Sequence, residues 1–180
     1  APFSLAQGSR RSRWIFRSES HMSWEKRSTE RWAEKAVWDW IISTRPHSKG
    51  VVTANTGEQL ASKTWAGVSA WLSRAVMRDW FSITTGKGAM RLVHKEFPDS
   101  WRVDAQTSRE ENSESFAGLH AASSTPWYLF DEASAIPSKI WEVAEGGKTD
   151  GEPMHFCFGN PTRNTGAFAE CFGKQRHRWN

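Results

Sequence analysis

Apolar positions along this chain recur in two alternating rhythms from Trp32 onward. Trp32, Ala36, Val37, Trp40 and Ile41 follow helical spacing, and STRPHSKG (43–50) ends that run with Pro46 and Gly50. KGVVTAN (49–55) has the pattern of a short buried strand. Thr56 and Gln59 then form a T-x-x-Q capping box that opens a helix, with Leu60, Val68, Trp71 and Leu72 on one face. Short strands are predicted around FSIT, MRLV and WRVDA within residues 81–105, with TTGKG as a turn. SFAGLH (115–120) and WYLFDE (127–132) read as two further apolar strands. IPSKIWEVAEG reads as a helix with Pro137 in its first turn and Gly146 and Gly147 at its end. MHFCFG (154–159) follows as a buried strand, NPTRNTG as a loop and AFAECFGK as a short helix.

Strands that alternate with helices, and are apolar throughout rather than at every second residue, predict an α/β fold. The expected architecture is a mostly parallel sheet covered by helices on both faces. The chain's 180 residues suffice for about one domain with a real core, and its twelve tryptophans serve that core. No internal repeat is present. Residues 1–31 have a different character, because RRSRWIFRSESHMSWEKRSTER is rich in Arg and Ser and lacks apolar periodicity. The chain therefore divides into a basic head, 1–31, and a body, 32–180.

Charge sharpens this division. A net charge of +4 and a pI near 9.3 point toward a nucleic-acid partner. Residues 1–31, however, hold seven Lys and Arg against three Asp and Glu, whereas residues 32–180 hold seventeen of each. The body is neutral and its composition does not argue for DNA. Cys157 and Cys171 make neither a disulfide framework nor a metal site. Cys157, inside MHFCF, reads as a small buried thiol, and the compartment as reducing. No stretch approaches the roughly 18 apolar residues of a membrane span, and the N-terminus does not read as a signal peptide.

Three stretches carry chemistry. In PWYLFDEAS an apolar strand ends in adjacent carboxylates, Asp131 and Glu132. At the carboxyl edge of an open α/β sheet, where ligands sit, Asp131 can reach a Mg²⁺ shell and Glu132 can orient and deprotonate a water. A solvated acidic turn explains the pair equally simply. In FCFGNPTRNTG a buried strand delivers Asn160, Thr162 and Arg163 to the same edge, where polar groups can sense a γ-phosphate; a turn rich in Asn, Pro and Gly is the plain alternative. In VVTANTGEQLASKTW a strand, a Thr-rich turn and a Gln resemble the motif that touches DNA in helicase-like ATPases. The residues concerned are Thr53, Thr56 and Gln59, although capping accounts for the last two without any function.

VVTANTGEQLASKTW, EENSESFAGLH, LFDEASAIPSKIWEVAEG and FGNPTRNTGAFAECFGK, in this order, resemble the ATPase domain of a tailed-phage terminase large subunit, over about residues 36–180. The resemblance implies a P-loop NTPase-like fold (RecA-like, of the class with an added strand and a catalytic glutamate). It implies an ATP-driven motor that packages viral DNA in the cytoplasm of a bacterial host. Asp131 becomes the magnesium-side Walker B carboxylate and Glu132 the catalytic base. Asn160 and Thr162 fall in the motif that couples hydrolysis to DNA movement, and Arg163 beside them is a candidate, in this subunit or a neighbour, to stabilise transition-state charge. ATP and Mg²⁺ are the implied cofactors. The implied partners are double-stranded viral DNA, a portal protein, a terminase small subunit and further copies in a ring, with no membrane. The family's nuclease domain has no counterpart in these residues.

One element is missing. The phosphate loop G-x-x-x-x-G-K-S/T belongs before GVVTAN, leading into the helix that carries Trp40, because glycines let successive backbone N–H groups turn toward phosphates. No glycine lies between Gly8 and Gly50. GGKT (146–149) follows the acidic pair instead of preceding it and would need its first glycine at Glu142; GKG (86–88) lacks the Ser or Thr. Three origins fit the gap: a head translated out of frame, genuine divergence, or a decayed prophage remnant. Codons for Trp24-Glu25-Lys26-Arg27, shifted by one or two bases, can encode Gly-Lys-Ser or Gly-Lys-Thr. An out-of-frame head predicts loose residues 1–31 and a poorly filled sheet edge where the P-loop strand belongs. Beside the packaging motor stand two other functions, an inactive remnant or interaction module of the same fold, and a helicase-like ATPase.

Overall fold

A computed structural model describes residues 12–17, 35–86, 89–117, 119, 124–149 and 151–180. Seven strands form one sheet: β1 (Ser12–Arg17), β2 (Lys49–Ala54), β3 (Phe81–Thr84), β4 (Arg91–His94), β5 (Arg102–Thr107), β6 (Pro126–Phe130) and β7 (Met154–Gly159). Their spatial order is β1-β7-β6-β2-β5-β4-β3. From β1 to β5 all neighbours are parallel, and β4 and β3 complete the sheet antiparallel. The predicted mostly parallel α/β sheet is thus observed.

Side-chain alternation along the central strands feeds two cores. On one face Val52, Ala54, Trp127, Leu129 and Phe156 meet helix α1 (residues 35–44) and the long helix α2. Helix α2 is α-helical over Gly57–Gln59, π-helical over Leu60–Trp65 and α-helical again over Ala66–Leu72. On the other face Val51, Tyr128, Phe130 and Cys157 meet α3 (Ser138–Gly146) and α4 (Ala167–Phe172). Helices on both faces explain why these strands are apolar at every position.

Several sequence expectations need correction. In α1 the fully buried positions are Trp38, Ile41 and Ile42, whereas Ala36 is exposed and Trp40 is half-buried under the Arg45 guanidinium, 4.7 Å from its ring; Trp32 lies outside the described residues. The described residues of SFAGLH form no strand. Ser115 and Phe116 close a 3₁₀ helix, Glu110–Phe116, and fully buried Phe116 accepts the Tyr128 hydroxyl at its carbonyl, 2.7 Å away. β2 and β6 already have two strand neighbours each, so the sheet interior has no edge for this segment. The capping box forms one bond of its reciprocal pair. Gln59 N–H donates to Thr56 Oγ1 at 3.2 Å, while the Thr56 hydroxyl lies 3.2 Å from Gln59 Oε1.

The sheet edge beyond β7, expected to be poorly filled, is occupied by Ser12–Arg17 from the basic head. Trp14 stacks on Phe156 with centroids 4.5 Å apart and planes 2° from parallel. SRWIFR lacks a visible period because a parallel strand covered on both faces needs none. On its far side β1 meets the chain's end, with Asn180 N–H donating to the Arg13 carbonyl at 3.0 Å and Ile15 N–H donating to the Asn180 carbonyl at 3.3 Å.

Gly50 shows how tightly β2 and β6 are fitted. It pairs with Trp127, and a Cβ at Gly50 would lie 2.1 Å from the indole of that fully buried residue. Gly50→Ala is expected to lower stability by about 1–3 kcal/mol through overpacking, measured by urea denaturation against the parent chain.

Candidate active site

Every parallel strand points its carboxyl end to one edge, where the register sets Arg17 beside Gly159 and Thr53 beside Phe130. The chain leaves β6 at Asp131, whose N–H still donates to the Thr53 carbonyl at 2.8 Å. The next residue, Glu132, turns left-handed with φ 51° and ψ 45°. That conformation is uncommon for a non-glycine residue and marks a constrained turn. It redirects the chain into a 3₁₀ turn, Ala133–Ala135, and both carboxylates remain half-buried at the strand edge.

Gly159 lies directly against this turn. A Cβ there would come within 3.0 Å of Ala133 N and 3.4 Å of the Glu132 carbonyl carbon. Close approach of β7 lets the following loop reach the acidic turn, where the Thr162 hydroxyl donates to Ser134 Oγ at 3.1 Å. Thr162 N–H also folds back on the Asn160 carbonyl at 2.8 Å. Asp131, Glu132, Asn160 and Thr162 therefore share one corner of the molecule. Arg163 is exposed on the same loop, with no side-chain bond among the described residues.

Thr56 and Gln59 lie just beyond β2 at the same edge, exposed and half-buried respectively. Thr53 is fully buried, so the expectation that it contacts DNA is corrected. Its place one residue before the strand's end keeps it inside the sheet.

Sequence reasoning missed Thr64 and Ser134. The Thr64 hydroxyl donates to Asp131 Oδ2 at 2.6 Å. Sixty-seven residues separate the pair, so no local pattern could announce it.

The donor set at this corner fits a magnesium ion of limited kind. Among the described residues no three acidic, His or Cys side chains converge as a metal cage. Asp131 with Glu132 matches the mode in which magnesium takes one or two carboxylates and completes its shell with water and phosphate oxygens. A phosphate grip is not assembled from the described residues. β1 ends at this edge and α1 runs from residue 35, while residues 18–34 lie outside the described set, as does most of GKG.

GGKT does not supply the grip. Lys148 is 1% exposed beside His155, the second residue of β7, about 16 Å of strand from Asn160. Its ammonium donates to Glu145 Oε1 at 2.6 Å and lies 2.9 Å from His155 Nδ1. Arg13 and Arg178 reach the other Glu145 oxygen at 2.5 and 3.3 Å. Burial pushes the ammonium down to about 8 against the opposing pull of Glu145. Burial would raise Glu145, but Lys148, Arg13 and Arg178 outweigh it and hold the carboxyl below its usual range. Burial, then the charges of Lys148 and Arg13, keeps His155 neutral. This cluster ties β1, α3 and β7 together at the opposite end of the sheet.

The unfolded ammonium titrates near 10.5, so between about pH 8 and 10.5 the unfolded chain binds more protons than the folded one. Stability therefore rises with pH across this window, and the gain is lost as pH falls through the folded value. Lys148→Met should flatten that rise in denaturation curves. Glu145→Gln, which removes the negative charge beside buried Lys148, should cost about 3 kcal/mol at neutral pH.

No family model matches the sequence, and no curated protein matches it. Solved structures do. The Thermus phage P74-26 large terminase ATPase domain superimposes with a TM-score of 0.58 at 18% identity, covering 90% of this chain and 63% of that one. The HK97 bacteriophage large terminase gives 0.63 at 11%, covering 93% and 33%. The large terminase of another, thermophilic bacteriophage gives 0.54 at 14%, covering 71% and 30%. The chain thus has the RecA-like P-loop fold of phage large-terminase ATPase domains, and it spans less than two thirds of the length of these neighbours. No helix among the described residues is long and apolar enough to cross a membrane.

Proposed function

We propose that this chain is part of the ATPase domain of a phage or prophage large terminase, the motor that drives viral DNA into a capsid. The observation that carries the reading is the corner where Asp131 and Glu132 leave β6 against Gly159, with Thr162 bonded into the same turn. Its position at the carboxyl ends of parallel strands is where such folds bind ligands.

In this reading Asp131 holds a water of the magnesium that arrives with ATP, and that ion neutralises phosphate charge when bound. Glu132, set on its strained turn, orients the attacking water and takes its proton. The Asn160–Thr162 loop is bonded to the acidic turn through Ser134, so a shift of the turn moves the loop. Thr56, exposed, and Gln59, half-buried, lie at the same edge and in this reading would meet DNA. Arg163 is free to approach phosphate from this subunit or a neighbour. Portal protein, small subunit and ring partners belong to the same proposal.

The lack of a phosphate grip among the described residues, together with the glycine-free stretch before Gly50, favours a second reading, a non-hydrolysing module of this fold that acts through contacts. Calorimetry with ATP-Mg²⁺ separates the two. The chain as given should bind nucleotide weakly or not at all and hydrolyse it negligibly. The coding sequence over codons 1–40, translated in all three frames, decides whether a G-x-x-x-x-G-K-S/T loop exists outside the present frame. A chain carrying that loop should hydrolyse ATP, with Glu132→Gln lowering kcat by about 10²–10⁴-fold. Absence of the loop in every frame would give precedence to the module, and ordinary motor turnover by the present chain would overturn the requirement for the loop.

A further inference from the structure

We infer that Thr64 is a positioning residue for Asp131, and that the π-helical turn of α2 exists to deliver it. A helical Ser or Thr ordinarily satisfies its hydroxyl on the carbonyl four residues back. Ser62, in the same turn of α2, does so, donating to the Glu58 carbonyl at 2.6 Å, and Thr44 in α1 does the same to Trp40 at 2.6 Å. Thr64 does not. Only 5% exposed, it sends its hydroxyl across to Asp131 Oδ2 at 2.6 Å. A buried hydroxyl needs a partner, and a carboxylate is a stronger acceptor than a helical carbonyl.

The backbone accommodates this exchange. Leu60–Trp65 is π-helical, and Ala66 N–H reaches the Ala61 carbonyl, five residues back. The wider turn shifts Thr64 relative to the α-helical segments on either side. Such insertions are uncommon and collect at functional sites.

Asp131 is thereby held twice by the unit that β2 and α2 form, its N–H by the Thr53 carbonyl at 2.8 Å and its Oδ2 by Thr64. Oδ1 has no protein partner among the described residues and is left for the metal shell. The same helix begins at Thr56 and Gln59 on the strand edge. A change in what Asp131 binds therefore pulls on α2, and a displacement of α2 turns the carboxylate. The metal role of Asp131 rests on the function proposed above; the tie between Asp131 and α2 does not.

Residue-resolved NMR on the chain as it stands tests both. Thr64→Val and Asp131→Ala should each speed amide exchange over residues 60–66 by about tenfold, the double variant should add little to either, and Thr64→Ser should keep the parent rates. Mn²⁺ alone at millimolar concentration should broaden the amide signals of residues 131–133. Asp131→Asn should remove that broadening, Thr64→Val should weaken the apparent affinity severalfold, and Thr64→Ser should recover it. Exchange and Mn²⁺ affinity unchanged by Thr64→Val would overturn the positioning role. No broadening in the parent chain would instead sink the metal role of Asp131, with the exchange rates still deciding the tie to α2.

Discussion

Burial of β6 on both faces is the constraint on which the rest of the molecule depends. All five of its residues, Pro126 to Phe130, are buried, with β7 and β2 hydrogen-bonded on either side. Trp127 and Leu129 enter one core, Tyr128 and Phe130 the other. A strand so enclosed cannot hold an unpaired charge, so its first ionisable carboxylates appear where the chain emerges, at Asp131 and Glu132. The acidic corner is the exit point of the most buried strand, and its position is set by packing before any chemistry is asked of it.

What surrounds that exit follows from the parallel register. Because β7 and β2 run alongside β6, their carboxyl ends arrive at the same edge and bring the Asn160–Thr162 loop and the start of α2 with them. Gly159 lets β7 close on the turn, and Ser134 gives Thr162 a partner there. Thr64 closes the opposite side by holding the carboxylate itself. The corner is therefore connected by hydrogen bonds to both neighbouring strand–loop units, a geometry suited to passing a local change outward.

The two ends of the sheet carry charge in different ways. At the amino end, Arg13, Lys148 and Arg178 surround Glu145 and are fully committed to structure. At the carboxyl end the carboxylates are half-buried, and among the described residues Asp131 is held by one hydroxyl. Charges committed to one another fasten elements together, whereas incompletely satisfied ones retain capacity for a ligand. GGKT illustrates the distinction, since its lysine looks like a phosphate ligand in one dimension and is a buried fastener in three.

Spacing alone announced the α/β class, the limits of MHFCFG, the carboxyl end of the IPSKIWEVAEG helix (which begins at Ser138, with Pro137 capping it rather than in its first turn), and the acidic pair at a strand's end. These depend on local spacing and on the demand that buried strands be apolar. The sequence also disclosed the lack of a glycine loop before Gly50, which is a matter of composition alone. Tertiary structure decided what spacing cannot encode. Ser115 and Phe116 of SFAGLH closed a 3₁₀ helix because β2 and β6 had no vacant edge, and aperiodic SRWIFR became a strand because β7 offered one. Thr53 was lost to the interior, and Thr64 was joined to Asp131 across sixty-seven residues. A side chain's partner across the fold is chosen by where the backbone brings it, and only the assembled sheet fixes that place.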